Sequence, residues 1–249
     1  MNNDRISNMG NYIINQGEVT TEELSEKFNV SIVTVRRDLK KLEEDNIITK
    51  IYGGAKAKSD KLMTFEQRES LNKNEKAHII NIAKDLIKNG DRIFIDSGTT
   101  AENLLNELDK DIQLTIFTNN LSIIKKAASM DNVNLFVVGN YYNHTSNSFT
   151  YWGRSPALKD FNIDKAFMCT SGLTIKDGLT NKNPIEQEIK SMICSIVDYI
   201  YLLVDDSKIG ISSLMTYAKL EDVDTLVTNK RPSDEYIEFL DKNEIDLKY

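Results

Sequence analysis

Along the first 58 residues, apolar positions recur at helical spacing in three short stretches and then alternate. Ile6, Met9, Ile13 and Ile14 fall three and four apart, and Gly17 ends the run, which predicts a first helix. Thr20 followed three residues later by Glu23 is the pattern of a capping box, opening a second helix with Leu24 and Phe28 inward and Asn29 as its stop. Ser31 can cap a third helix running to Asp45, with Ile32, Val35, Leu39 and Leu42 on one stripe. After Asn46, residues 47–52 have strand character, Gly53-Gly54 is a turn signal, and residues 55–58 return. Three helices and a hairpin are the order of a winged helix-turn-helix, predicted over residues 1–58.

The pattern then changes. Residues 59–74 are polar and read as a linker, leading into a helix at about 75–88. Beyond it, apolar runs at 93–95, 114–117, 135–138, 166–169, 199–204 and 225–227 are separated mostly by helical patterns. Strands alternating with helices predict a mainly parallel α/β sheet over residues 75–249. The longest apolar stretch is 199–204, far short of the ~20 residues a membrane helix needs. With a polar N-terminus and two cysteines, too few for a disulfide framework, the expected location is cytoplasmic, with no membrane partner.

Charge alters this picture only when it is divided. The 249 residues hold 31 Lys and Arg against 38 Asp and Glu, a net charge of −7 that argues against a nucleic-acid partner. Residues 1–58, however, contain nine basic and nine acidic side chains, so the remainder carries the whole −7. Within that segment, residues 1–30 have two basic and five acidic groups, and residues 31–58 seven basic and four acidic. The local surplus on the third helix and hairpin is what matters for a docking surface.

At about 100° per residue, a third helix with Ile32, Val35, Leu39 and Leu42 inward points Arg37 directly outward. Val33, Thr34, Lys40 and Lys41 flank it, and Arg36 sits at the margin. Arg can bind guanine bidentately, a Thr methyl can meet a thymine methyl, and Lys holds phosphates. Ser31 and the first helix amides are placed for a backbone phosphate. The hairpin adds Lys50, Tyr52, Gly53, Gly54, Lys56 and Lys58. On composition alone, a merely solvated basic face is an equal reading.

Ser31-Ile32-Val33-Thr34-Val35-Arg36-Arg37-Asp38-Leu39, with Leu42-Glu43 and then Lys50-Ile51-Tyr52-Gly53-Gly54-Ala55, resembles the N-terminal domain of DeoR-type bacterial transcriptional regulators. Arg5, placed ahead of the first helix, also fits. The usual Arg before the glycines is Lys50 here, which keeps a phosphate contact but not a bidentate one.

The C-terminal half collects polar residues where strands are predicted to end. Asp96-Ser97-Gly98-Thr99-Thr100 follows the first strand and opens a helix, Thr118-Asn119 follows the second, Gly139 the third, and Asp205 closes residues 199–204. In an open parallel sheet, ligands sit outside the carboxyl ends of the strands. Ser97 to Thr100 at a helix start would cradle a phosphate, although the same residues are ordinary turn formers. Asn183-Pro184 starts a helix on which Glu186 and Lys190 are spaced i,i+4, an arrangement that alone suits a surface ion pair. D-S-G-T-T, T-N, E-x-x-x-K and D-x-S-K (Asp205 to Lys208) resemble, in order, the sensor domains of the same family, which are similar to ribose-5-phosphate isomerase. The resemblance implies a phosphorylated-sugar effector bound without turnover, no catalytic residues and no cofactor. It further implies operator DNA as partner, a homo-oligomer (dimer or tetramer), and a repressor of a sugar-catabolic operon.

The third strand departs from the family's Gly-Gly: Gly139-Asn140 leads into Tyr141-Tyr142-Asn143-His144-Thr145-Ser146-Asn147, either a sugar-contacting loop or a plain surface excursion. Arg154, after Trp152 and Gly153, is a candidate phosphate contact. His78, His144, Cys169 and Cys194 share no metal-ligand spacing, and the cysteines sit in apolar runs as core residues. No GxGxxG, Walker A or G-x-S-x-G is present. Two other functions remain open at this level. One is a sugar-phosphate isomerase-like enzyme with an appended DNA-binding domain, using Glu186, Lys190, Asp205 and Lys208 as acid–base groups. The other is a winged helix that binds protein partners.

Overall fold

The computed structural model describes residues 2–45, 47–57, 65–109, 111–151 and 158–249. They form two compact units, Met1–Asn74 and Glu75–Tyr249.

The first unit runs α1 (Asn2–Gln16), β1 (Glu18–Thr20), α2 (Thr21–Phe28), α3 (Ile32–Glu44), β2 (Ile48–Ile51) and β3 (Gly54–Ala57). Its core includes Met9, Ile13, Val19, Leu24, Val35, Leu39, Leu42, Ile47, Ile48 and Ala55, drawn from every one of these elements and from the approach to β2. The capping box forms in both directions: Thr20 Oγ1 accepts from Glu23 N at 3.1 Å and Glu23 Oε2 accepts from Thr20 N at 2.8 Å. Such a cap stabilises a helix by about 1 kcal/mol. Asn29 ends α2 with φ 49°, a left-handed turn that Asn tolerates. Ser31 caps α3, accepting from Thr34 N at 3.2 Å.

Strand β1 is too short to have left a periodic signal. It pairs antiparallel with β3, giving the order β1-β3-β2. Gly54 sits where any Cβ would collide with the Val19 carbonyl oxygen, so the second wing glycine is required by this pairing rather than by turn conformation. The expected linker is a second departure. Residues 58–64 lie outside the described residues, but Phe65–Ser70 is helix α4, and Leu71 is buried in the N-terminal core. Ser7 Oγ donates to Asn72 Oδ1 at 3.1 Å and accepts from Asn72 N at 2.7 Å, tying this segment to α1. Two large apolar residues, Phe65 and Leu71, supplied the anchors that a polar average hid.

The second unit continues with α5 (Lys73–Ala83), β4 (Arg92–Ile95), β5 (Leu114–Thr118), α6 (Leu121–Ala127), β6 (Val133–Val137), β7 (Tyr141–Asn143), β8 (Ser148–Thr150), β9 (Lys165–Cys169), β10 (Gly172–Thr174), β11 (Gly178–Asn181), α7 (Pro184–Ile196), β12 (Tyr199–Leu203), β13 (Met215–Ala218), β14 (Thr225–Val227), α8 (Asp234–Lys242) and β15 (Asp246–Lys248). Helix α5 is shorter than the expected 75–88, giving way to a single 3₁₀ turn at Lys84–Leu86 before Ile87 turns extended. The central sheet has order β15-β14-β12-β9-β4-β5-β6, and every neighbouring pair is parallel. Both faces are buried: Ile93 and Ile95 of β4 join one apolar cluster and Phe94 the other. Smaller antiparallel units, β10-β11-β13 and β7-β8, complete the unit.

From β4 the chain proceeds outward through β5 to β6, then returns to place β9 on the other side of β4. Strand order therefore reverses between β4 and β9. Such a switch point opens a crevice at the carboxyl ends of the two strands, where Asp96 and Thr170 lie.

Candidate nucleic-acid interface and ligand crevice

Helix α3 buries Val35, Asp38, Leu39 and Leu42. Ile32, expected inward, is instead 36% exposed, and the inward stripe is turned towards Asp38. The cause is an acid within the helix: Asp38 is fully buried and its Oδ2 accepts from Arg5 Nε at 2.8 Å, with the Arg5 Nη2 also at 2.8 Å. Arg5 lies inside α1 rather than ahead of it, so its guanidinium ties α1 to α3. The outer face consequently centres on Val33 (77% exposed), Arg37 and Lys40, with Arg36 and Lys41 also exposed and Thr34 half-buried. Its cations are only loosely paired. Arg37 Nε stands 3.6 Å from Asp38 Oδ1 and Lys40 Nζ 3.7 Å from Glu44 Oε1. The exposed Lys40–Glu44 pair is worth about 0–1 kcal/mol and yields readily to a phosphate, and the exposed Arg37 guanidinium stands beyond hydrogen-bond distance of the buried Asp38. On the wing, Lys50 bridges Glu43 at 3.0 Å, Tyr52 is fully exposed, and Gly53 turns with φ 77°.

At the switch point, Asp96 is completely buried and fully engaged. Its Oδ1 accepts from Ser97 N at 2.8 Å, and its Oδ2 accepts from Cys169 N at 2.9 Å and from the Lys190 ammonium. Lys190 also donates to the Cys169 carbonyl at 2.9 Å, which takes a second donor from Tyr217 Oη at 2.9 Å. Burial alone would push Lys190 down, but the charges of Asp96 and Glu186 and the hydrogen bond to Asp96 outweigh it and hold the ammonium above its ordinary range. Gly98 packs so closely on Cys169 that a Cβ would overlap its side chain.

Around this knot, Thr118 Oγ1 donates to Ile95 O at 2.7 Å and accepts from Asn120 N at 3.1 Å. Asn119 Nδ2 donates to Phe149 O at 3.0 Å, and Phe149 N returns to Asn119 O at 2.7 Å, clamping the β7-β8 hairpin to the strand ends. Gly139 backs on the same hairpin at Phe149 and Thr150. Among the described residues, the buried Thr100 Oγ1 and Asn119 Oδ1 have no hydrogen-bond partner. Asp205 is buried, accepts from Ser207 N at 3.2 Å, and has Lys208 Nζ at 3.5 Å. Glu186 accepts from Asn181 Nδ2 at 2.8 Å and Asn183 Nδ2 at 3.3 Å.

The DeoR-like helix-turn-helix domain matches residues 5–61, and the DeoR C terminal sensor domain matches residues 71–230. The chain belongs to the DeoR family. It is 40% identical over 244 residues to the HTH-type transcriptional regulator IolR of Bacillus subtilis, covering 98% of this chain and 97% of that one. It is 32% identical over 232 residues to a lactose phosphotransferase system repressor of Staphylococcus epidermidis, covering 91% of each. Among solved structures, the sorbitol operon regulator SorC from Klebsiella pneumoniae aligns over 94% of this chain and 97% of its own at 13% identity, TM-score 0.41. Ribose 5-phosphate isomerase A from Methanocaldococcus jannaschii aligns over 55% of each chain at 17% identity, TM-score 0.41. As a DeoR-family member the protein is a DNA-binding transcriptional regulator and not an enzyme. No helix among the described residues is long and apolar enough to cross a membrane.

In the DeoR-family sensor unit, the four strand ends read from sequence lie along the carboxyl edge of the parallel sheet, and much of their hydrogen-bonding capacity is spent inside the protein. Asp96, Thr118, Glu186 and Lys190 hold the crevice together through the contacts above. Glu186 and Lys190 do not form an ion pair within 4.0 Å among the described residues; each reaches a different partner. Ser97 to Thr100 precede a six-residue 3₁₀ segment, Ala101–Asn106, rather than an α-helix, so the expected helix-terminus cradle is a tight turn. Arg154 lies outside the described residues, as do Trp152, Gly153 and Lys58. The aromatic loop after Gly139 is the β7-β8 hairpin, closed by Tyr142 Oη donating to Asn147 Oδ1 at 2.9 Å.

Lys182 is a group that the sequence reading missed. It is an exposed residue, yet its ammonium is pushed down to about 8 by desolvation and by the neighbouring Lys208 charge. The Lys208 charge, itself 3.5 Å from Asp205 Oδ2, disfavours the protonated form of Lys182 beside a strand end. The available signal was Asn181-Lys182-Asn183-Pro184, directly ahead of the helix carrying Glu186. The thiols are inert: burial pushes Cys169 up to about 11 and Cys194 up to about 12. Among the described residues no group of three His, Cys, Asp or Glu could hold a metal.

Proposed function

We propose that this DeoR-family regulator represses a sugar-catabolic operon in the cytoplasm as a homo-oligomer, and that a phosphorylated sugar in the sensor crevice controls its hold on operator DNA. In the reader, Arg36 and Arg37 take guanine edges, Val33 and Thr34 contact thymine methyls, and Ser31, Lys40, Lys41 and Lys50 hold phosphates. Tyr52, Gly53 and Gly54 bring the wing against the backbone. One such unit buries too little surface for adequate discrimination, which favours binding by two or more copies. In the sensor, Ser97, Gly98, Thr99 and Thr100 line the anion end with Lys208 and Lys182, while Asp96, Thr118, Gly139, Glu186, Lys190 and Asp205 shape it. A relative named as a repressor of a lactose phosphotransferase system supports a sugar-linked signal.

The observation carrying the effector reading is the buried Thr100 hydroxyl at the strand-order reversal, unpartnered among the described residues, a polar atom that a bound ligand would satisfy. A gel shift on the protein's own upstream region tests the whole. Wild type binds, with an affinity that falls steeply with salt. Arg36→Ala with Arg37→Ala loses about 1–3 kcal/mol per lost base contact while stability changes by less than about 0.5 kcal/mol. A sugar phosphate that raises the melting temperature also shifts the DNA-bound fraction, and Thr99→Ala with Thr100→Ala removes both responses. Undiminished DNA binding by the arginine variant removes the assigned face, and an unchanged ligand response in the threonine variant removes the assigned turn.

A further inference from the structure

The two orphaned atoms of the crevice are chemically unlike. The Thr100 hydroxyl can donate or accept, so either a phosphate or a sugar oxygen would satisfy it. Asn119 is more restrictive. Its amide nitrogen is committed to the Phe149 carbonyl at 3.0 Å, and a carbonyl can only accept, so the orientation of the amide is fixed. What remains is Oδ1, a pure acceptor closed off from solvent on a residue only 2% exposed, with no donor among the described residues facing it. Phosphate oxygens are acceptors too, and a phosphate dianion beside that carbonyl would be repelled.

Position adds to the chemistry. Strands β4 and β5 run parallel with Ile95 opposite Thr118, so Asp96 and Asn119 are the next step beyond each strand. Asn120 Nδ2 reaches the Ser97 carbonyl at 3.5 Å, joining the two loops. The turn from Ser97 to Thr100 and the Asn119 amide are therefore neighbouring walls of one crevice. One wall carries hydroxyls, and the other presents a bare carbonyl.

We propose that Asn119 Oδ1 is a specificity determinant that accepts a hydrogen bond from a hydroxyl of the effector's carbon chain, so that the ligand lies with its anionic end on the Ser97–Thr100 and lysine side and a hydroxyl-bearing carbon at Asn119. This rests on the sensor reading above. It restricts the ligand class to molecules carrying both an anion and a hydroxyl donor at a fixed separation. A simple phosphate, or a phosphorylated chain without that hydroxyl, leaves the acceptor bare, and an unmet buried acceptor is expensive.

The test uses the full-length protein and isothermal titration with hexose, pentose and polyol phosphates, each beside its monodeoxy counterparts, with inorganic phosphate as the anion-only probe. In wild type one deoxy position lowers the affinity of the binding sugar phosphate by about 5- to 100-fold. In Asn119→Ala that penalty vanishes, because the parent and the deoxy compound bind alike, while weak inorganic phosphate binding persists and certifies a folded crevice. Equal binding of every deoxy analogue by wild type overturns the inference and means that the acceptor is met by water. So does a deoxy penalty that survives in Asn119→Ala. Either result leaves the sensor reading intact. Failure of every sugar phosphate to bind wild type removes the sensor reading itself. The wild-type comparison among ligands needs no variant, so loss of folding in Asn119→Ala does not spoil it.

Discussion

Each unit of this regulator contains one fully buried aspartate held by a cation from a distant element, and the two pairs are built differently. In the reader, Asp38 of α3 is met by Arg5 of α1, whose side chain is 24% exposed, so solvent still reaches the guanidinium. In the sensor, Asp96 is met by Lys190, which is 4% exposed and lies 5.2 Å from the Tyr217 ring. The first pair is a hinge pin at a surface: it sets the roll of α3 and with it which side chains face outward. The second is a keystone inside the sheet, and it consumes two residues whose types alone suggest acid–base chemistry. Charge at a functional face stays available when its partners are exposed and loose; charge buried beneath a site serves to shape it.

The comparison is broken or sharpened most strongly at Lys190. Lys190→Met removes the cation from the buried Asp96 carboxylate and leaves it the amides of Ser97 and Cys169 and the Ser97 hydroxyl at 3.4 Å as donors. Leaving one member of a buried pair unpaired costs about 3–5 kcal/mol, so the sensor's urea midpoint falls steeply while the reader's melting is unchanged. Adding Asp96→Asn recovers part of the loss, because the uncompensated charge is gone. A cost below about 1 kcal/mol for the single variant means that water reaches Asp96, and the contrast with the reader collapses.

The same operation on the reader is expected to cost less. In Arg5→Met, Asp38 keeps water on its Arg5 side and Arg37 at 3.6 Å, and the stability loss is about 1–3 kcal/mol by denaturant unfolding. Its second effect is on DNA. With the α1–α3 tie gone, helix α3 is free to roll back towards an Ile32-centred stripe, and affinity for operator falls although Arg5 lies on α1 and not on the outer face of α3. A loss equal to that of Lys190→Met, or wild-type affinity in the variant, contradicts the assigned roles.

These two aspartates also mark what could be read from sequence. Helices α1, α2, α3, α5 and α7, the caps at Thr20 and Ser31, and six of the seven parallel strands were legible, because each rests on residues within one turn or one strand: Thr20 with Glu23, Ser31 with Thr34, the apolar run at 166–169. Asp38 was not, since a helical wheel ranks positions by polarity and has no term for an arginine 33 residues away. Lys190 was legible as important but not in its partner. Spacing offered Glu186 four residues earlier, whereas the fold supplies Asp96 from 94 residues away. Strands β1 and β15 escaped because each holds one apolar residue between polar ones, unlike the apolar run of β14. The short antiparallel strands β7, β8, β10, β11 and β13 also escaped, and α4 did because Phe65 was averaged into a polar stretch. The candidate crevice came from a rule about strand ends, while the proposed division of its residues into contacting and shaping groups depends on hydrogen bonds that only the fold creates.

The finest contrast concerns lysines that remain near solvent. Lys182 titrates at about 8 and so carries its charge below that pH and loses it above, unlike the unfolded chain, where lysine stays protonated to about 10.4. Its ammonium therefore costs the free protein stability below about pH 8, and the cost is relieved as pH rises from there towards the unfolded value. A bound phosphate dianion reverses the preference by favouring the protonated lysine. Effector affinity, measured by titration between pH 7 and 9, accordingly falls as pH rises through about 8, by less than about tenfold, since the loss is bounded by one pH unit of deprotonation. The phosphate's own ionisation is complete near pH 7 and adds nothing in this window. Lys182→Arg keeps its charge throughout and flattens the profile. A fall of equal steepness in Lys182→Arg assigns the titration to another group, and a rise with pH removes Lys182 from the anion side of the crevice.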